Sequence, residues 1–181
     1  MISLNKPHYR LFLDEVSTPA EVLRIMKANN LGKYCYAFHV KDKNVKYIMN
    51  IGMSEGAHIG DRVYRKCGNL YGFGHNALTG DFGSDMQVVV KLFEDKFTDI
   101  QVHKDNVILE LWDTSNIIVD SFNSATIECE KKLFRDCKAK FGIIPVGNTQ
   151  DPNDRNKQTM VPSVWNYLFE TKENKVVYES A

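Results

Sequence analysis

Residues 33–70 read KYCYAFHVKDKNVKYIMNIGMSEGAHIGDRVYRKCGNL and decide the fold. From Tyr34 to Val40 the aromatic and apolar side chains alternate with smaller ones, and this period of two predicts a strand. Lys41–Asn44 predicts a hairpin turn, so Val45–Gly52 pairs back as a second strand. Gly52 lets the chain leave that strand sharply, and a short helix is expected to end at Cys67–Asn69.

The remaining elements follow from the same periodicities. Ser17 and Thr18 before Pro19 predict the start of a helix that runs to Asn29–Asn30. A third strand is predicted at Val107–Trp112, and two amphipathic helices are predicted at Asp85–Phe97 and Ser121–Phe141. A hairpin and one later strand predict an α/β fold of the α+β type, with a small three-stranded antiparallel or mixed sheet flanked by helices.

Composition places the chain among ordinary globular proteins. It has 181 residues, 43% apolar and 25% charged, and its 23 basic and 23 acidic residues cancel. A nucleic-acid partner would therefore be held by a local patch rather than by a global field. Neither a membrane span nor a signal peptide is recognisable, so we expect an intracellular protein, cytoplasmic or nuclear, with no membrane partner. The four cysteines form no C-x-x-C pair, which favours free thiols over a disulfide or a zinc site.

Several residues stand in a characteristic order along the chain: Tyr36 with Phe38, Ile51 with Gly52, Arg62, Glu130 with Leu133 and Phe134, and Asn148. With these residues the chain resembles the GIY-YIG nuclease superfamily over roughly residues 33–148, and Gly60–Arg65 resembles the G-x-R-x-Y-R helix of one subset. The first motif has no glycine, and Asn50 stands where the second motif has tyrosine. The resemblance divides the chain into an N-terminal helical extension (1–32), a nuclease-like core (33–148) and a C-terminal extension (149–181).

The resemblance implies a metal-dependent endonuclease that cuts DNA, most simply duplex DNA, and a homodimer is compatible with it. Tyr36 would take the proton of the attacking water, and Arg62, with Arg65 nearly one turn on, would clamp the phosphate. Glu130 would hold one Mg²⁺ or Mn²⁺ ion, which stabilises the leaving oxygen. Asn148 would orient the phosphate or a metal-bound water. Two alternatives stay open, Glu128 for the carboxylate and Asn166 for the amide.

Contacts to the nucleic-acid backbone are expected from basic and loop residues around this site. Lys66 is expected at the surface of the first core helix, and the long helix carries a basic side. The candidate contact residues are Lys66, His58, His75, Lys131 and Lys138.

Each residue also has a plainer interpretation. A strand tyrosine usually packs in a sheet, a helix arginine is usually solvated, and a loop histidine usually has no ligand. If these hold, the chain is a binding module that grips nucleic acid or protein without cutting, or a small structural protein. Cleavage of DNA that depends on a divalent ion would distinguish the endonuclease from the binding module and from the structural protein.

Overall fold

The computed structural model describes residue 4 and residues 6–56, 59–71, 84–148, 151–153 and 175–177. These residues form an α+β fold in which helices cover both faces of an antiparallel sheet. The described strands are β1 (Tyr9–Phe12), β2 (Tyr34–Asp42), β3 (Val45–Ser54), β4 (Val107–Asp113) and the three-residue segment β5 (Lys175–Val177). The described helices are α1 (Pro19–Ala28), α2 (Asp61–Leu70), α3 (Ser84–Lys96) and α4 (Ala125–Phe141).

The sheet contains more strands than the sequence pattern predicts. Its order is β1-β4-β2-β3-β5, with every neighbouring pair antiparallel. The predicted three strands form its centre, so the prediction of a three-stranded sheet is wrong in number. β1 adds a fourth strand on β4, with Tyr9 opposite Leu111, and β5 adds a short fifth on β3. β1 was missed because its four residues are all half-buried and show no alternation of burial.

The two faces of the sheet carry separate apolar clusters. Tyr34, Tyr36 and Phe38 of β2 face the first cluster, which includes buried residues of α1, α2 and α3. Cys35 and Ala37 face the second cluster, which includes the buried side of α4. We call these the α1–α3 face and the α4 face. Because side chains alternate along a strand, neighbouring residues of β2 contribute to opposite faces.

The helix ends follow local sequence signals. Pro19 opens α1, as predicted, and α1 ends at Ala28. α4 begins at Ala125 rather than at Ser121, because the Ser124 side chain accepts a hydrogen bond from the backbone N–H of Ile127. Gly142 ends it with φ 78°, a left-handed conformation that favours glycine.

All four cysteines are free, as the sequence predicts, and all four are buried. None of the described helices has the length and apolar character that crossing a membrane would require. The predicted loop at 69–84, the exposed loop at 149–157 and the aromatic tail after Val161 lie largely outside the described residues.

Candidate active site

Tyr36 and Arg62 form the centre of the candidate site. Arg62 is the second residue of α2, and its Nε donates a hydrogen bond of 3.2 Å to the Tyr36 hydroxyl oxygen. The guanidinium group belongs to an exposed residue, whereas Tyr36 is only 1% exposed. The Tyr36 ring lies between Tyr34 and Phe38, with ring centroids 6.2 Å and 5.7 Å away. Residues 26 positions apart therefore present a phenol oxygen and a cation at one point.

Gly52 makes room for this arrangement. It lies directly opposite Tyr36 in the register of β2 and β3. A β-carbon at position 52 would lie 3.0 Å from Cε2 of the Tyr36 ring, closer than side-chain contacts allow, and it would overlap the hydroxyl end as well. Gly52 is thus the residue over which the Tyr36 ring lies.

A close approach at Gly60 positions α2. Gly60 has φ 73°, and a β-carbon there would lie 2.9 Å from Cδ1 of Leu23 on α1. The backbone carbonyl of Gly60 accepts from the N–H of Tyr64 and so starts the helix. α2 therefore begins tightly against α1, which places Arg62 beside the end of β2.

Two polar groups flank the pair on the same face, and the sequence comparison did not single them out as site residues. Tyr34 is fully buried, and burial raises the pKa of its hydroxyl well above the usual range, although Ser54 and the backbone of Val63 act to lower it. Asn50 is 5% exposed and lies opposite Phe38. Among the described residues, neither the Tyr34 hydroxyl nor Oδ1 of Asn50 has a partner in hydrogen-bonding geometry. The sequence does indicate their position. Residues two apart on a strand share a face, so residue 34 lies on the same face as residue 36, and residue 50 on the same face as residue 52.

Asn148 binds the backbone of the strand that carries Gly52. Its Oδ1 accepts from the N–H of Ile51 at 2.8 Å, and its Nδ2 donates to the carbonyl of Ile51 at 2.9 Å. Its neighbour Gly147 donates its N–H to the carbonyl of Met49 at 2.7 Å. Both ends of the amide therefore hold β3 in place, next to Gly52. In this geometry Asn148 positions the site.

Glu130 lies on the helix that covers the other face of the sheet. The thiol of Cys35 contacts the carbonyl of Thr126 at 3.4 Å, which fixes the start of α4 on the α4 face. Burial, and then the charges of Cys129 and Glu130, raise the pKa of Cys35, so the Glu130 carboxylate lies within electrostatic range of that face. Tyr36 points to the opposite face. A ligand that touches both groups would have to pass round the end of the sheet at which β2 begins, because β2 is the central strand.

The donor chemistry around Glu130 fits a hydrated ion rather than a protein cage. The described residues contain no group of three or more histidine, cysteine, aspartate or glutamate side chains arranged for a metal. Glu130 is partly exposed and offers carboxylate oxygens, which are the donors that magnesium prefers. Magnesium commonly keeps several waters and takes only one or two carboxylates, so a single glutamate suits it.

Lys66 corrects one prediction. It is only 4% exposed, so it is not a surface charge. It lies on the inner side of α2, between the buried residues Val63 and Leu70, where the turn of the helix directs it inward. Arg65, one residue earlier, is half-buried.

Of the other predicted contact residues, some lie in surface ion pairs and some lie outside the described residues. On α4, Lys131 pairs with Glu128 at 3.8 Å and Lys138 pairs with Asp151 at 3.2 Å, so both belong to ion pairs at the surface. His58 and His75 lie outside the described residues, as does Asn166. Glu128, the alternative carboxylate, accepts from Asn123 and Ser121 near the start of the helix, and the hydrogen bond from Asn123 is the main cause that lowers its pKa.

Comparison with known proteins adds no relative. No protein-family model matches the chain, and no curated protein and no solved structure matches it either. The resemblance to the GIY-YIG superfamily stays a prediction made from the motif residues.

Proposed function

We propose that this protein is a metal-dependent endonuclease that hydrolyses DNA phosphodiester bonds. The observation that carries the proposal is the hydrogen bond from Arg62 to Tyr36 above Gly52. These three residues come from three elements and match the motif order of the nuclease superfamily. A buried phenol held by an exposed guanidinium brings a proton acceptor and a phosphate-binding cation to one place.

The protein groups divide the chemistry between them. The Tyr36 oxygen, acting as the phenolate, orients the attacking water and takes its proton to become the neutral phenol, while Arg62 fixes the direction of that oxygen through Nε. The terminal nitrogens of the guanidinium form a planar fork that matches two phosphate oxygens. Asn148 acts through β3, because its amide holds the backbone beside Gly52.

The metal would be held by Glu130. A divalent ion there supplies Lewis-acid stabilisation of the charge on the leaving oxygen. Since α4 covers the face opposite Tyr36, the substrate would have to reach both groups round the end of the sheet at which β2 begins.

A plasmid-nicking assay tests the proposal. Wild-type protein should nick supercoiled DNA with Mg²⁺ or Mn²⁺ and not with EDTA. Tyr36→Phe, Arg62→Ala and Glu130→Gln should each lower the cleavage rate by about 100-fold or more, the scale on which one general-base or charge-stabilising group contributes. Arg24→Ala is the matched control, because Arg24 is an exposed helix arginine on α1 paired only across the surface with Glu21. Unchanged cleavage in Glu130→Gln would remove the metal assignment.

A second function is favoured by two observations. Tyr36 is almost fully buried, and Glu130 lies on the helix of the other face, as expected for a fold that keeps the motif residues for packing. The protein would then bind nucleic acid without cutting it. Retention on duplex DNA that weakens steeply with salt, without nicking in any divalent ion, would select this function. Absence of retention even at low salt would exclude both.

A further inference from the structure

The loop between β4 and α4 holds two large apolar side chains in solvent. Ile118 is 94% exposed and Phe122 is fully exposed. Both belong to residues 117–123, which we call the apolar loop. Among the described residues, Val88 on α3 is the one other large apolar side chain that is exposed. Single exposed apolar residues are ordinary, whereas two on one short loop form a patch that a partner can cover.

Hydrogen bonds fix the apolar loop at both ends. At its start, the backbone N–H of Ile117 donates to the carbonyl of Thr114, and the Ile117 side chain packs against the apolar cluster of the α4 face. At its end, the side chains of Ser121 and Asn123 donate to Oε1 of Glu128, at 3.1 Å and 2.7 Å. The two exposed side chains are therefore presented by an ordered loop, which has little conformational freedom left to lose on binding.

An open cavity lies on the α4 face, between the sheet and residues 132–141 of α4, with a volume of about 450 Å³. Its polar floor offers a ligand little to bind, because Glu110 already pairs with Lys46 at 2.6 Å and the ring nitrogens of His39 are buried. An apolar side chain would cover the remaining surface without leaving a polar group unpaired. The apolar lining includes Leu4, Ile48, Trp112, Leu133 and Phe141.

The apolar loop and the rim of the cavity carry opposite charges. Asp120 lies between Ile118 and Phe122, is exposed, and has no cation paired with it within the described part of the chain. Lys140 lines the cavity, is exposed, and lies 5.5 Å from the centre of the Phe141 ring. Among the described residues no carboxylate pairs with Lys140. Opposite charges of this kind favour and orient the contact between two surfaces.

We propose that the apolar loop of one copy of this chain inserts into the cavity of a second copy, and that the contact is reciprocal. Phe122 covers the apolar lining, and Asp120 lies at the rim beside Lys140 of the partner subunit. The inference does not rest on the nuclease proposal, because it uses other residues.

The positions of the two surfaces along α4 support a reciprocal contact. The apolar loop precedes the first residue of α4, whereas residues 132–141 of the same helix line the cavity. The helix has 17 residues and is about 25 Å long at 1.5 Å per residue. Two copies with antiparallel α4 helices, related by a two-fold axis near the middle of the helix, would therefore each bring their loop to the other's cavity.

A polyanionic partner fits the apolar loop less well than a second copy does. Residues 117–123 contain one charged residue, Asp120, and no lysine or arginine. Nucleic acid and anionic lipid surfaces are bound chiefly through basic side chains, which the loop lacks. An apolar cavity with a lysine at its rim is the better complement.

Sedimentation velocity of the full chain over a range of concentrations tests the proposal. Wild type should show a monomer–dimer equilibrium, and Phe122→Ala should raise the dissociation constant about 30-fold, as expected for a residue at the centre of an interface. Val88→Ala is the matched control, since Val88 is an exposed apolar residue on α3 and does not line the cavity. Wild type that stays monomeric up to millimolar concentration, or equal association of the two variants, would overturn the proposal.

Charge reversal tests whether the two surfaces meet. Asp120→Lys and Lys140→Glu should each weaken the dimer about tenfold, and the double variant should recover most of the wild-type affinity because opposite charges face each other again. Lys27→Glu is the control for Lys140→Glu, since Lys27 is exposed on α1, away from the cavity lining, and should not rescue Asp120→Lys. A double variant no tighter than Asp120→Lys alone would overturn the assignment of the cavity. Monomeric protein that binds phosphatidylcholine vesicles through Phe122 would assign the loop to lipid and overturn it as well.

Discussion

The ring of Tyr36 lies over the backbone of Gly52 on the neighbouring strand, in the space that a side chain at position 52 would fill. This relationship places the phenol against β3, where its oxygen accepts a hydrogen bond from Nε of Arg62. Position 52 therefore controls the Tyr36–Arg62 pair, although glycine contributes no functional group of its own.

Gly52→Ala should displace the Tyr36 ring. The added methyl group overlaps the ring, so we expect a loss of about 1–3 kcal/mol in the free energy of unfolding, measured by urea denaturation. Under the proposed nuclease function, cleavage should fall as well, because the Tyr36 oxygen moves away from Arg62. Gly56→Ala is the control, since its β-carbon would make only an ordinary contact, 3.4 Å from Oγ of Ser54. Equal stability of the two variants would contradict this account.

The hydrogen bond between Tyr36 and Arg62 should appear as a coupling energy. In the wild-type background, Arg62→Ala leaves the buried Tyr36 hydroxyl without its hydrogen-bond donor, which costs stability. In the Tyr36→Phe background that hydroxyl is absent, so Arg62→Ala does not incur this cost. A double-mutant cycle on unfolding should give a coupling of about 0.5–3 kcal/mol. The same cycle with Arg24→Ala in place of Arg62→Ala should be additive within about 0.5 kcal/mol. Additivity in both cycles would show that the contact contributes nothing, whatever the protein catalyses.

Asn148→Asp should weaken the attachment of the 147–148 segment to β3. The aspartate cannot donate to the carbonyl of Ile51, and two oxygens would then face each other. We expect a loss of about 1–3 kcal/mol in unfolding free energy, together with lower cleavage. Asn116→Asp is the matched control, because Asn116 is an exposed turn residue. An effect of Asn148→Asp on cleavage alone, with stability unchanged, would instead indicate direct contact with the substrate.

The central hairpin and the helices were predictable because their signals are local. Alternation along 34–40, the turn at 41–44 and the cap before Pro19 need no knowledge of distant residues. β1 was not predictable in this way. Its side chains are half-buried on both sides, and what makes it a strand is its pairing with β4, about 100 residues later.

The candidate site also has features that the sequence predicts and features that depend on tertiary packing. Motif order placed Tyr36, Gly52 and Arg62 together, and the structure brings these three into contact. The burial of Lys66 and the double hydrogen bond of Asn148 to Ile51 depend on how α2 and the 147–148 segment pack, which periodicity does not encode. The β-bulge opposite Phe38 and His39 also depends on tertiary structure, namely on how β2 and β3 pair. It puts Met49 in the first apolar cluster, although Asn50 beside it pairs with Phe38 on the same face.

The thiols should be unreactive in the folded protein. All four cysteines are buried, and burial raises the pKa of Cys67 and of Cys137 to about 12. Because the thiolate is the reactive form, native protein at pH 8 should react with Ellman's reagent far more slowly than denatured protein, which should release one equivalent for each of the four cysteines. Rapid reaction of any cysteine in the native state would show that its region opens easily.

Stability should fall on mild acidification because of His39. Burial lowers its pKa from 6.5 to about 4, so the unfolded chain binds a proton in that interval while the folded protein does not. The contribution of His39 to the free energy of unfolding is therefore complete above pH 6.5. It is lost as the pH falls towards 4, and its upper limit is about 3 kcal/mol. The charges that face the ring come from Glu110, Lys46 and Arg10, and Glu110, whose pKa is also lowered, acts in the same direction at lower pH.

Urea unfolding of wild type and of His39→Gln between pH 7.5 and 4.5 measures this contribution. The variant should lose most of the dependence between pH 6.5 and 4.5, because glutamine does not titrate. His103→Gln should keep the wild-type dependence, since that side chain is 54% exposed and lies near Asp105. An identical pH dependence in wild type and His39→Gln would show that His39 gains a partner for its charged form inside the fold and does not lower the stability in acid.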